Sequence, residues 1–133
     1  MNAKIYEVEE LNLALPLVRS IVRDLRNAWA SLGQAFRDLG RPISAGDLTD
    51  PLVLRELPWD VRDRVDEFRS LAEELVELGL TLRDPETGLV EACGEMGGSF
   101  VFLSWHPGEE EVLYFLDPTD PAARRQPLHV LAG

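Results

Sequence analysis

The chain of 133 residues predicts an α+β fold, in which a long antiparallel helical hairpin packs with a small antiparallel three-stranded β-meander. Three observations support this prediction. Two segments before Gly79 carry apolar residues at helical spacing. At Gly79 the apolar period changes from about 3.6 residues to about 2 residues. Turns that contain glycine and proline then divide the following sequence into short segments, as expected for a meander.

The first helical segment begins near Glu9, where acidic residues favour the positive end of a helix dipole. Pro16 either ends a short helix near Ala14 or kinks a longer one. After Pro16 the apolar residues alternate between spacings of four and three residues, which indicates a heptad stripe that Gly40 can end. The stripe consists of Val18, Val22, Leu25, Trp29, Leu32, Phe36 and Leu39.

A second helix follows a proline-containing connection at residues 41–58. Pro58 can begin this helix and Gly79 can end it. The segment from Pro16 to Leu39 has a net charge of +2 (four Arg, two Asp), whereas residues 58–78 have a net charge of −4 (three Arg, seven acids). Opposite charges favour antiparallel pairing of the two helices. The second apolar stripe consists of Val61, Val65, Phe68, Leu71, Ala72, Leu75 and Leu78.

The predicted strands run from Leu89 to Glu95, from Ser99 to Trp105 and from Glu111 to Leu116. Gly97-Gly98 forms the hairpin turn between the first two strands, and DPETG forms the turn before them. Ile5 and Tyr6 suit a very short additional strand.

One domain is therefore expected over residues 1–133. It comprises a helical hairpin at about 9–79, a β-meander at about 80–117 and an irregular C-terminal tail at 118–133.

The charge of the chain limits its partners. Thirteen basic residues face 24 acidic ones, for a net charge of −11, which disfavours nucleic acid and anionic membranes. A nucleic-acid interface would need a basic face built from the first helix. No signal peptide and no apolar run of roughly 18 residues is visible, so a cytoplasmic protein is expected. The residues that could build the basic face are Arg19, Arg23, Arg26 and Arg37.

Four stretches carry a resemblance to a known family. They are EELNLALPLVR at 9–19, LGLTLRDPETGLV at 78–90, FLSWHPGEEEVLYF at 102–115 and RRQPL at 124–128. In these stretches the chain resembles bacterial domain-of-unknown-function family 2203 over nearly its whole length. The resemblance implies a shared fold, and it implies no activity because the function of the family is not established.

The chain departs from the family pattern at several positions. His106 follows Trp105 where the family usually has Arg, and Leu116 stands where a His is usual. Asp117 stands in place of Glu, and Thr119 in place of Asp. If the family uses that His chemically, this chain has lost it or has moved its role to His106. The polar positions that match the family pattern are Arg83, Asp84, Glu91, Glu109 and Arg125.

The densest group of candidate metal ligands lies around the sequence HPGEEE. A site with one His and two or three carboxylates would suit Mn²⁺, Fe²⁺ or Zn²⁺. The alternative is a solvated hairpin turn whose charges face water. No cofactor other than a divalent metal is predicted. The candidate ligands are His106, Glu109, Glu111 and Asp117.

Other reactive residues have simpler interpretations. Asp84 and Glu91 could act as an acid–base pair, but a turn-capping residue and an exposed strand position are the simpler interpretation. Arg83 and Arg125 could bind a carboxylate or phosphate, or pair with the chain's own acids. Cys93, the single cysteine, cannot form an internal disulfide and is predicted to be a small buried apolar group.

The function is not determined by the sequence. We expect a small non-catalytic interaction or scaffold protein that forms a homodimer, with a further protein partner as an option. The alternative is a divalent-metal-binding or metal-dependent hydrolytic protein. Adjacent strand residues point to opposite faces of a sheet, so some aromatic residues of the last two strands should face away from the helices. The candidate interface residues are Trp105, Tyr114 and Phe115.

Overall fold

A computed structural model of the chain describes residues 4–122 and 124–129. Within these residues the chain forms three α-helices and a five-stranded antiparallel sheet, which confirms the α+β class. The predicted C-terminal tail is described only in part, because residues 123 and 130–133 lie outside these ranges. The helices are α1 (Val8–Asp38), α2 (Pro51–Glu56) and α3 (Trp59–Glu77), with a 3₁₀ turn at Ala45–Thr49.

Helix α1 is a single helix of 31 residues that continues through Pro16. The prediction that a short helix ends near Ala14 is therefore wrong. A capping box between Glu7 and Glu10 supports the helix start by satisfying backbone N–H groups that the helix leaves unpaired. Gly40, with φ of +82°, follows the last turn as predicted.

Helices α1 and α3 pack in opposite directions. Trp29 of α1 contacts Phe68 of α3, with ring centroids 5.4 Å apart. Ser31, further along α1, bonds to Arg64, which comes earlier in α3, at 3.1 Å. Contacts that advance along one helix and retreat along the other define an antiparallel pair, so the two predicted helical stripes do meet.

Gly79 marks the transition from helix to sheet. Its φ is +85°, and its N–H donates to the Val76 carbonyl, which ends α3. The Tyr6 hydroxyl donates to the carbonyl of Leu78, just before this glycine. Tyr6 also pairs in parallel with Gly94 and thereby extends the sheet beyond the end of the first strand. The start of the chain, the end of α3 and the sheet are thus joined at one point.

The sheet has strand order β1-β2-β3-β4-β5, so each strand pairs with its neighbours in sequence. The predicted three-stranded meander is wrong in number. A strand precedes the DPETG turn, another follows residue 117, and the last predicted strand shortens to three residues. The strands are β1 (Leu80–Asp84), β2 (Leu89–Met96), β3 (Ser99–Trp105), β4 (Tyr114–Leu116) and β5 (Gln126–Pro127).

The core lies between one face of the sheet and the helices. The register pairs Ala92 with Leu103, and Leu103 with Phe115, which places all three side chains on this inner face. All three are buried. Their strand neighbours point to the opposite, outer face of the sheet, as the two-residue repeat requires.

No helix among the described residues is long and apolar enough to cross a bilayer.

Gly88 fixes the distance between the β1–β2 turn and α1. Its φ is +81°, and a Cβ atom there would lie 2.6 Å from Cγ1 of Val22. Gly98 in the β2–β3 turn has a similar φ of +80°, but a Cβ atom would meet no heavy atom within 4 Å. The two glycines therefore share a backbone requirement and differ in packing.

We predict that Gly88→Ala lowers the free energy of unfolding by about 3 kcal/mol, through backbone strain plus overpacking. The matched control Gly98→Ala should cost only about 1 kcal/mol, because it adds the backbone strain alone. Urea unfolding of both variants measures the difference. Equal losses would show that Gly88 is not packed against α1.

Candidate functional site

The outer face of the sheet holds the candidate site, and it divides into two regions. At one end, charged and polar side chains form what we call the polar cluster: Arg83, Glu91, Ser104, His106, Glu109, Tyr114 and Arg125. Next to it, four weakly polar or apolar side chains on the same face form what we call the apolar strip: Cys93, Phe100, Phe102 and Leu116.

A bidentate ion pair forms the centre of the polar cluster. Arg125 Nη2 lies 2.7 Å from Glu109 Oε1, and Arg125 Nη1 lies 3.1 Å from Glu109 Oε2. The Glu109 side chain is 10% exposed and that of Arg125 is 26% exposed. Two parallel charge-assisted hydrogen bonds shielded from water make this the strongest type of pair that these residues can form.

Arg125 also binds the sheet beneath it. Its Nε donates to Ser104 Oγ at 2.8 Å, and its Nη2 donates to the Ser104 carbonyl at 3.2 Å. The guanidinium carbon lies 4.4 Å from the ring centroid of Tyr114, within cation–π distance. Ser104 is fully buried, and its hydroxyl accepts a hydrogen bond from Arg125. Arg125 therefore fastens the segment before β5 onto β3 and β4.

Glu109 is held in place by the turn that carries it. Its Oε1 accepts from the His106 backbone N–H at 3.0 Å, and its own N–H donates to the His106 carbonyl at 3.2 Å. The Glu109 carbonyl accepts from Trp105 Nε1 at 2.8 Å. Arg19 of α1 reaches the carbonyls of Glu109 and Glu110. The turn is thus tied to both the sheet and the first helix.

A second ion pair lies on β1 and β2. Arg83 Nε is 3.0 Å from Glu91 Oε1, and the Glu91 side chain is only 13% exposed. This confirms that Arg83 and Arg125 pair with the chain's own acids, and it corrects the expectation of an exposed Glu91. Asp84 accepts from the Glu86 N–H and the Thr87 hydroxyl, both at 3.0 Å, which confirms its turn-capping role.

The polar cluster offers no free pair of catalytic groups. Both of its carboxylates are in contact with an arginine, and the Ser104 hydroxyl accepts from Arg125. Among the residues that the structure describes, no buried side-chain nitrogen or oxygen lacks a hydrogen-bond partner. General acid–base chemistry needs a group that can exchange a proton with a substrate. The arrangement suits a structural clamp.

The four candidate metal ligands do not assemble. Only His106 and Glu109 approach each other, with Nε2 of His106 3.8 Å from Glu109 Oε2. Within residues 4–122 and 124–129, no three His, Cys, Asp or Glu side chains are grouped to hold a metal ion. Glu111 is exposed, and the Asp117 carboxylate accepts from the Thr119 hydroxyl at 2.7 Å and from its N–H at 2.8 Å. These bonds from Thr119 lower the pKa of Asp117.

The apolar strip leaves aromatic surface open. Phe100 is 61% exposed, and Phe102, two residues along the same face, is half-buried. Phe102 lies opposite Cys93 on β2 and opposite Leu116 on β4. Cys93 is exposed, so the prediction of a buried cysteine is wrong. Because successive residues of β2 point to opposite faces of the sheet, the Cys93 side chain points away from the helices.

The predicted interface residues divide between the two faces. Trp105 and Phe115 belong to the buried core of the single chain, because the register places both on the inner face. Tyr114 lies on the outer face, as the alternation of adjacent residues requires, but under Arg125. On this face Phe100 is exposed and Phe102 is half-buried. The strand SFVFLSW has apolar residues at both odd and even positions, which indicates apolar side chains on both faces of the sheet. This pattern could have identified Phe100 and Phe102.

Comparison with known proteins is consistent with the resemblance noted in the sequence. Residues 4–128 match the model of a family described as "Uncharacterized conserved protein (DUF2203)". The match covers nearly the whole chain, and the chain belongs to this family. Searches of curated proteins and of solved structures found no match.

We predict that Arg125→Met lowers the free energy of unfolding by about 2 kcal/mol, because it leaves the Glu109 carboxylate shielded and unpaired. Arg124→Met is the matched control. Arg124 also pairs with an acid, Asp120, but its side chain is 75% exposed, so its loss should cost less than about 1 kcal/mol. Urea unfolding distinguishes the two. A similar loss in both variants would contradict the clamp.

Proposed function

We propose that the chain is a small, non-catalytic interaction protein that forms a homodimer through the apolar strip. The observation that carries the proposal is the exposure of Phe100 beside half-buried Phe102 on a sheet face that no helix of the described residues covers. Exposed aromatic surface of this kind is typical of protein–protein contacts. The satisfied ion pairs of the polar cluster support a binding role over a catalytic one.

The strip suits a second copy of the same chain because a two-fold axis can bring an arginine of one copy to an acid of the other. A two-fold axis through the Cys93–Phe102 pair would exchange the positions of Glu91 and Glu95, which lie two residues on either side of Cys93 on the outer face. Arg83, half-exposed beside Glu91, would then meet the partner copy's Glu95. Phe102 would be covered at the centre, and Arg83 would lie between Glu91 of its own copy and Glu95 of the partner copy at the edge.

The polar cluster supports this arrangement. Arg125 holds the segment before β5 over Ser104 and Tyr114, which protects that end of the outer face. The same clamp leaves the end with Phe100 uncovered within the described residues. A rigid, partly covered sheet presents a defined surface to a partner, which lowers the entropy lost on association.

A metal-dependent function is the weaker alternative. His106 and Glu109 could supply two ligands, but Glu109 already binds Arg125 through both carboxylate oxygens. A metal would have to displace this arginine, and at least one further ligand would have to move.

We predict that Phe100→Glu converts the homodimer to a monomer at tens of micromolar, because it replaces an aromatic contact of the interface with a charge (about 1–3 kcal/mol for one unpaired buried group). Sedimentation equilibrium measures the mass. Trp59→Glu is the matched control, since Trp59 is 76% exposed on α3, away from the sheet face. A wild-type chain that is already monomeric, or equal effects of both substitutions, would overturn the proposal.

A charge exchange tests the two-fold arrangement itself. Arg83→Glu and Glu95→Arg should each weaken the dimer about three- to tenfold, and the double variant should recover most of the loss. Sedimentation equilibrium again gives the dissociation constant. Additive losses in the double variant would show that these two residues do not meet between copies.

We also predict that Mn²⁺, Fe²⁺ and Zn²⁺ do not raise the melting temperature of protein stripped with EDTA, because Arg125 already binds both carboxylate oxygens of Glu109. A ligand that binds only the folded state must raise this temperature. A rise for one metal that disappears in His106→Ala would instead support the metal-dependent alternative.

A further inference from the structure

A groove along α1 gathers arginines that the polar cluster does not use. Its volume is about 680 Å³, within the usual range for small-molecule sites. We call it the basic groove and define it by Arg23, Arg26, Asn27, Trp29, Gly33 and Arg37. It is formed by the first helix with Ile43 and Glu86 at its sides, and it is distinct from the outer sheet face.

The spacing of residues along α1 places small residues in the middle of the groove and arginines at both of its ends. Residues 23, 26, 30, 33 and 37 follow spacings of three and four, so they lie on one face of α1. Ala30 and Gly33, the smallest residues of this face, occupy the middle, and the side chains of Arg37 and Ile43 lie against Gly33. Arg26 and Arg37 are eleven residues apart, or about 16 Å along the helix axis.

The arginines of the groove keep uncompensated charge. Arg26 donates its Nε to the Glu86 backbone carbonyl at 3.1 Å, and Arg37 donates to the amide oxygen of Gln34 at 3.0 Å. Within the described residues neither has a carboxylate within 4.0 Å. Arg23 has only an exposed contact of 3.5 Å with its neighbour Asp24. Three arginines gathered in one groove, of which two have no carboxylate partner among the described residues, favour an anionic ligand.

We propose that the basic groove binds a phosphate-bearing small molecule of nucleotide size. Arg23 and Arg26, three residues apart at one end, can bind several oxygens of a diphosphate through their guanidinium forks. The middle and far end suit a planar ring. Trp29 lines the groove there, and Arg37 Nη1 lies against Gly33, 3.6 Å from where its Cβ would be. Arg37 is exposed, so the side of its guanidinium plane that faces away from Gly33 can stack on an aromatic ring.

Size and charge favour a small ligand over a long polyanion. The net charge of −11 repels an extended phosphate backbone, whereas a ligand confined to the groove meets mainly the arginines. The four arginines that the sequence suggested as a basic face do not act together. Arg19 donates hydrogen bonds to the backbone carbonyls of Glu109 and Glu110 instead. Only the other three arginines of that set line the groove.

Isothermal titration calorimetry of the whole chain with ADP and with inorganic pyrophosphate tests this site. ADP should bind the wild type more tightly than pyrophosphate, because only ADP carries a ring. The double variant Arg23→Gln/Arg26→Gln should weaken both ligands at least tenfold, by loss of charge-assisted hydrogen bonds. The matched control Arg55→Gln/Arg69→Gln removes the same charge from α2 and α3 and should change each affinity less than about threefold.

Two further variants separate the ring from the phosphates. Gly33→Leu displaces the Arg37 side chain that lies against Gly33, and Arg37→Gln removes the stacking plane. Each should weaken ADP at least threefold and leave pyrophosphate unchanged, and Arg37→Gln keeps the test valid if Gly33→Leu does not fold. Absence of ADP binding to the wild type at about 1 mM would overturn the proposal. Equal losses in the matched control, or pyrophosphate losses equal to those of ADP in Arg37→Gln, would also overturn it.

Discussion

In the part of the chain that the structure describes, the helices cover only one face of the five-stranded sheet, and the arrangement of the other residues follows from that constraint. Side chains at one parity of each strand enter the core, which includes Leu103, Trp105 and Phe115. Side chains at the other parity must be paired, covered by other segments or left open. The bidentate bond between Arg125 and Glu109 provides the cover at one end, and Phe100 stays open at the other.

The two surfaces that we propose as binding sites use different physical interactions. The apolar strip would associate mainly by removing aromatic surface from water, with a charge contact only at its edge. The basic groove would bind an anion through arginines that the excess of acids leaves unpaired, and salt would weaken it. They lie on different elements, one on the outer face of β2 and β3 and the other along α1, so each can be altered without changing the other.

Local chemistry was enough to predict much of the fold. Gly79 ends a helix, Gly97-Gly98 forms a hairpin turn, and both helical stripes pack against each other. The excess of acids favoured pairing of Arg83 and Arg125 with the chain's own acids over a bound anion, and the structure shows that pairing. These features depend on residues close in sequence or on overall composition, which a single sequence displays directly.

The missed features depend on contacts between distant residues. The strand at Gln126–Pro127 lies in a proline-rich tail and forms because β4 provides an edge for it. The faces of Cys93 and Phe100 depend on the sheet register, and a shift of one residue exchanges the two faces. His106 and Asp117 are eleven residues apart, and the local bonds of Asp117 to Thr119 could not be read from ligand types alone.

The most direct test of self-association uses the only cysteine in the sequence, without any substitution. Cys93 is exposed and lies opposite Phe102 in the proposed interface. The rate at which a thiol reagent modifies Cys93 should be measured over a range of protein concentrations. Self-association predicts fast modification of the dilute chain and slower modification as the concentration rises into the tens of micromolar, because the partner copy covers the thiol. A rate constant that is the same at every concentration would contradict the proposed dimer.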